Sequence, residues 1–178
     1  GIEFHQGEDP PFTPADGRYV PLPGERATDL DTARAEAGFR IWVPDLLGPP
    51  DLVVAADGDP PRVVSLLYFA GPGRPPARPG TTGPVLRIDQ FHGSISPVFD
   101  KYLQFNAEPV ALGSYLAFWV SEPHPVLYVD RDGQIREESA RMSDKTLVVE
   151  MAGTTLRIEG ELSKERAVEI ARSLVEAP

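Results

Sequence analysis

Cysteine is absent from the chain, which excludes disulfides and thiolate-bound metal but leaves the compartment open, since exported proteins also lack it. Histidine is nearly absent too, at 3 residues, and tryptophan and methionine number 2 each. No apolar run approaches the ~20 residues that a membrane-spanning helix requires. Basic residues are the minority, 17 Lys and Arg against 27 Asp and Glu, for a net charge of −10. A chain so acidic, with no run of Lys and Arg, is not built to hold nucleic acid or anionic lipid. Catalytic signatures are missing as well. There is no Gly-x-Ser-x-Gly nucleophile elbow. Gly71-Pro72-Gly73 is followed by no strand-to-helix junction bearing a lysine, so it is not a phosphate loop.

Proline is what the chain has in abundance, at 20 residues of 178. Residues 7–24 carry one cluster among polar neighbours, and residues 1–27 read as a proline-rich tether or an arm laid on the domain. The chain opens on Gly-Ile-Glu-Phe, which reads equally as vector sequence, and a signal or anchor is expected upstream. The second cluster, in residues 71–84, predicts a long exposed Pro/Gly-rich loop between two strands. Its PxxP spacings, Pro72 to Pro75 and Pro76 to Pro79, are a weak signal for an aromatic-groove partner.

Residues 28–178 read as a single α+β domain. Two β-branched runs, 146–151 and 154–159, flank Ala152-Gly153, a tight turn in which Gly153 can take positive φ. Ser163 offers an N-cap oxygen, Glu165 suits the helix dipole, and Ala167, Ile170, Ala171 and Leu174 form one apolar helix face. Thr28 predicts the cap of a short helix over 29–37, with Gly38 as its stop. Residues 39–43, 51–56, 62–70, 85–91, 108–112, 115–121, 125–130 and 134–142 read as strands. Residues 96–105 read as a short helix with Pro97 at its first position and an apolar face of Val98, Tyr102 and Phe105. Strands of similar length joined by short turns predict one curved antiparallel sheet, a half-barrel-like meander, with the C-terminal helix and one or two short helices on one face.

Candidate chemistry is thin. Asp130-Arg131-Asp132-Gly133 resembles the middle of a calcium loop, but the register places Tyr128 and Ser139 where the chelating carboxylates belong, so an Asp-Gly hairpin turn is the better account. Glu137 and Glu138 are adjacent on a strand and point to opposite faces; with Glu108, Glu122 and Glu150 they make no paired-carboxylate site. His92 follows a strand end and His124 sits in a Pro-flanked turn, neither with ligand spacing. No metal, cofactor or catalytic residue is expected. The aromatic residues on predicted elements read mainly as core, with Trp42, Phe118, Trp119 and Tyr128 as candidate lining for an apolar ligand groove between helix and sheet.

Ala37-Gly38-Phe39 followed by Val43-Pro44 resembles the AGF-x-x-x-VP opening of a bacterial family of uncharacterised extracytoplasmic domains, of actinobacterial type. The aromatic-Trp strand at 115–121 with Pro123-His124, the hairpin at 130–133 with Arg136-Glu137-Glu138, the strand at 147–150 and the closing strand and helix at 158–174 are similar to its later motifs. Val149 stands where that family often has Trp, and the 71–84 loop is longer. Such domains follow a membrane helix, some of them in anti-sigma-factor proteins, and resemble lipoprotein-carrier-like half-barrels. The resemblance implies a non-enzymatic, extracytoplasmic regulatory, sensory or protein-interaction domain, tethered to a membrane through a segment outside this chain. The alternative is a carrier of lipid or another apolar ligand; an enzyme of unfamiliar mechanism is third. The partner is accordingly an unidentified protein or an apolar ligand.

Overall fold

The computed structural model describes residues 1–14, 19–77, 79–80, 82–93 and 97–177. The class is α+β. The elements run β1 (Ile2–Gln6), β2 (Arg26–Thr28), α1 (Leu30–Glu36), β3 (Trp42–Pro44), a 3-10 turn (Asp45–Leu47), β4 (Leu52–Ala56), β5 (Val63–Tyr68), β6 (Leu86–His92), β7 (Phe99–Leu103), β8 (Glu108–Pro109), β9 (Leu116–Val120), β10 (His124–Val129), β11 (Ile135–Ser143), β12 (Thr146–Met151), β13 (Thr154–Gly160), α2 (Lys164–Arg172) and β14 (Leu174–Glu176).

These strands form three sheets, where the sequence predicts one. The largest has eight strands in the order β2-β4-β5-β6-β13-β12-β9-β8; a second has four in the order β1-β7-β10-β11; β14 and β3 make a third. The chain leaves the large sheet after β9 through Pro123, which has no N–H to extend a ladder, and returns between β11 and β12. The large sheet is antiparallel throughout, but β1 pairs β7 in parallel, with Glu3 opposite Asp100 and His5 opposite Tyr102.

Alternation along the central strands divides the interior. One face of the large sheet sends Val64, Leu66, Ile88, Leu156 and Ile158 into a core shared with Ala167, Ile170 and Ala171 of α2. The opposite face packs Phe91 and Val63 against Phe99, Val126 and Tyr128 of the four-stranded sheet. Both faces of β6 and β13 are therefore covered, and polar residues there are buried.

Local signals hold at the closing block. Ala152 and Gly153 sit at φ 47° and 83°, a two-residue turn with both positions left-handed. Ser163 accepts a hydrogen bond from Arg166 N at 3.2 Å and caps α2. At α1 the cap is Asp29, not Thr28: its Oδ1 accepts from Thr32 N at 2.8 Å. The expected strand at 39–43 starts only at Trp42, and the one at 108–112 shortens to Glu108–Pro109. The expected helix over 96–105 is instead strand β7; position 96 lies outside the described residues. Backbone pairing with β1 on one side and β10 on the other outweighs a marginal helical periodicity.

The N-terminal residues lie against the domain. Besides β1 and β2, Leu22 is buried in the intersheet core, and Pro23 O accepts from Asp57 N at 2.9 Å. In the loop at 71–84, Arg166 Nη2 donates to Gly73 O at 2.7 Å, and Arg74 Nη1 pairs with Asp51. Among the described residues no helix is long and apolar enough to cross a membrane.

Candidate functional site

The alternation that buries Ile88 and Ile158 toward the helices turns Arg87, Asp89, Arg157 and Glu159 toward the four-stranded sheet. Register places Asp89 opposite Arg157 and Arg87 opposite Glu159 across the β6–β13 ladder. Arg157 Nη1 donates to Asp89 Oδ2 at 2.6 Å, and its Nη2 bonds Ser143 Oγ at 2.8 Å and Glu159 Oε2. Arg141 of β11 clasps Glu159 with both guanidinium nitrogens, at 2.5 and 2.8 Å. Arg87 Nε and Ser65 Oγ each donate to Asp89 Oδ1 at 2.5 Å. The Arg157 guanidinium also lies 4.8 Å from the centre of the Phe99 ring.

The network is electrically balanced. Three guanidinium groups, Arg87, Arg141 and Arg157, face Asp89, Glu159 and, at 3.8 Å from Arg87 Nη2, Glu25. Burial opposes ionisation of both central carboxylates, yet Arg87 and Arg157 hold Asp89 low, and Arg141 and Arg157 hold Glu159 well below the usual range. Charges this deep are tolerated because they are paired and hydrogen-bonded.

Lys101 brings an amine into the same buried layer. It is wholly buried on β7, and its Nζ lies 2.7 Å from His124 Nε2. His124 Nδ1 lies 2.8 Å from Glu122 O, an acceptor only, so Nδ1 carries the proton and Nε2 receives the lysine's. Burial, then Arg157, pushes the lysine well below its ordinary value; burial, then Lys101, does the same to the histidine. Both shifts favour the neutral form, the state in which an amine is nucleophilic and an imidazole accepts protons. The amine is nonetheless sealed from solvent. His124 lines a pocket of about 170 Å³ with Tyr102, Phe105, Val120 and Glu122.

The four candidate groove residues do not converge. Trp119 is buried in the helix-side core, and Trp42 packs against that core from β3 with its backbone N–H donating to Gln90 Oε1 at 2.7 Å. Phe118, adjacent to Trp119 and so on the other face, tilts against Phe4 with ring centres 6.4 Å apart. Tyr128 sits in the intersheet core, its hydroxyl donating to Asp57 Oδ2 at 2.8 Å. None of them lines the pocket beside His124, or the groove of about 380 Å³ between α2 and residues 109–111.

The Asp130 turn closes itself: Asp130 Oδ1 accepts from Asp132 N at 3.0 Å and Gln134 N at 2.9 Å. Tyr128 N donates to Ser139 Oγ at 2.8 Å, so the would-be terminal chelators bond to each other across the hairpin. His92 is exposed at the end of β6, away from His124 on β10.

Sequence reasoning passed over Arg87, Asp89, Lys101, Arg141, Arg157 and Glu159. The available signal was the opposite-sign pairing of β6 and β13 at i, i+2 spacing, which reads as a solvated face until a second sheet is known to cover it. No known family, curated protein or solved structure matches the chain.

Proposed function

We propose that the chain is a non-enzymatic extracytoplasmic domain with a regulatory, sensory or protein-interaction role, held at a membrane by a segment outside it. The observation that carries this reading is the occupied layer between the two large sheets. Where a carrier would keep an apolar cavity, ion pairs and the Phe91–Phe99–Tyr128 cluster fill the space. The half-barrel likeness belongs to the same proposal, with the four-stranded sheet closing the concave side. The motifs at residues 37–44 and 115–133 support the assignment to exported domains.

A second reading, a carrier of an apolar ligand, draws on the pocket beside His124, where Phe105 stands 67% exposed. Native mass spectrometry of the protein isolated from its own host separates the two. The interaction reading expects no organic adduct on the folded chain. A lipid bound in stoichiometric amount sinks it in favour of the carrier. Labelling of the protein on intact cells tests the location: reaction with an impermeant reagent is expected, and protection until lysis contradicts it.

A further inference from the structure

On the outer face of the four-stranded sheet, three potential metal ligands meet at the seam between β1 and β7. Glu3 and His5 stand at i, i+2 on β1 and share a face, and the parallel register sets Glu3 directly opposite Asp100. His5 Nε2 lies 3.8 Å from Glu3 Oε1 and 3.8 Å from Asp100 Oδ2, and one ligand atom from each of the three residues falls within 4.8 Å of the others. These separations are too long for hydrogen bonds. They are close to the ~3.4 Å between ligand atoms arranged tetrahedrally around a cation with bonds of about 2.0–2.1 Å. Glu3, with a half-exposed side chain, is free to make the small contraction.

Two atoms in this cluster are buried with nothing to bond. Among the described residues His5 Nε2 has no hydrogen-bond partner, and neither has Oδ1 of Asp100, whose residue is only 7% exposed. A buried carboxylate oxygen with no donor costs about 1–3 kcal/mol or more. Two carboxylates directly opposite each other across a ladder also repel. A cation seated between them and the imidazole offsets the repulsion and, held by both oxygens of Asp100, gives Oδ1 its partner.

The surroundings already orient the imidazole as a ligand. Glu8 Oε2 lies 3.3 Å from His5 Nδ1. A carboxylate there favours the proton on Nδ1 and leaves the Nε2 lone pair facing Glu3 and Asp100, the arrangement common behind metal-bound histidines. The ring is stacked on Tyr102 at 4.5 Å and 9°, and Phe12 meets the other ring's edge geometry at 5.4 Å and 80° to hold Tyr102 in turn.

We propose that Glu3, His5 and Asp100 bind a divalent first-row transition cation of the Zn²⁺ class, with one coordination position left to water. Imidazole with two carboxylates is a donor set for Zn²⁺. Because β1 is the edge strand of its sheet and comes from the N-terminal arm, the ion fastens that arm to the domain.

The test uses the untagged full chain, stripped with chelator, dialysed and titrated with ZnCl₂ by calorimetry. One equivalent is expected to bind, with affinity reduced about 100-fold or more in His5→Ala and in Asp100→Asn, and about 10-fold in Glu8→Gln. Glu3→Gln is expected to weaken binding less than Asp100→Asn. Circular dichroism checks that each variant is folded. As a readout on the parent chain alone, Zn²⁺ is expected to slow hydrogen exchange at the amides of Ile2–Gln6. Failure to saturate at one equivalent, or full binding retained in both His5→Ala and Asp100→Asn, overturns the proposal. So does Zn²⁺ binding that leaves β1 exchange unchanged.

Discussion

Arg157 Nη1 lies 2.6 Å from Asp89 Oδ2, and neither side chain has any solvent-exposed surface. The pair bridges the two central strands of the large sheet, and its remaining bonds reach β5 through Ser65 and β11 through Ser143. The two sheets are thus joined by charge as well as by apolar packing.

Removing one member strands the other. Asp89→Asn leaves Arg87 and Arg157 buried without their shared carboxylate, and the expected loss is about 3–5 kcal/mol. Urea unfolding followed by circular dichroism reads it. A loss below about 1 kcal/mol contradicts a buried network in which Asp89 is the shared partner of both guanidinium groups.

The Lys101–His124 pair makes stability depend on pH in a defined direction. Both groups have folded-state values below their unfolded ones, 10.5 for the lysine and 6.5 for the histidine, so the unfolded chain binds more protons. The lysine's contribution is whole above about pH 10.5 and shrinks as the pH falls toward its folded value; the histidine's is whole above about 6.5 and shrinks below it. Asp89 and Glu159, held low, add a loss of the same sign in acid. Unfolding free energy is therefore expected to rise between pH 7 and 9. In that window Lys101→Met is expected to reduce the slope, since the carboxylates and His124 no longer titrate there and only the Gly1 amine, lowered by burial from 8.0 to about 6, adds a term of the same sign below pH 8. A slope unchanged by Lys101→Met shows that the lysine is not the group responsible.

Tyr128 separates structure from ligand binding. Its buried hydroxyl donates to Asp57, which also accepts from Arg131 N at 2.9 Å. Tyr128→Phe is expected to cost about 0.5–1.5 kcal/mol in chemical denaturation and to leave any binding of apolar dyes or lipids unchanged. Weakened binding at unchanged stability points instead to a ligand-lining tyrosine.

What was legible in the sequence was local. The Ala152-Gly153 turn, the Ser163 cap, the apolar runs of β4 and β5, the alternation of β6 and the β-branched run of β13 each follow from residues a few positions apart. The errors arose where distant segments decide. Residues 99–103 carry a marginal helical pattern, and only their pairing with β1 and β10 makes them a strand. Arg87, Asp89, Arg157 and Glu159 alternate with apolar residues as any half-exposed strand does, and a second sheet covering that face is invisible in the pattern. Glu3 and His5 lie at strand spacing, but Asp100 joins them through a parallel pairing nearly a hundred residues away in sequence. Trp42, Phe118, Trp119 and Tyr128 share aromatic character but lie on three different strands, and Phe118 and Trp119, neighbours on β9, face opposite layers.

We propose that the chain's own side chains fill the layer between the sheets and leave no room there for apolar cargo. The most direct measurement is mass spectrometry of the organic-solvent extract from protein isolated from its own host. The expected result is no lipid or other apolar molecule approaching one per chain. A single lipid species recovered at one per chain contradicts the account and makes the domain a carrier.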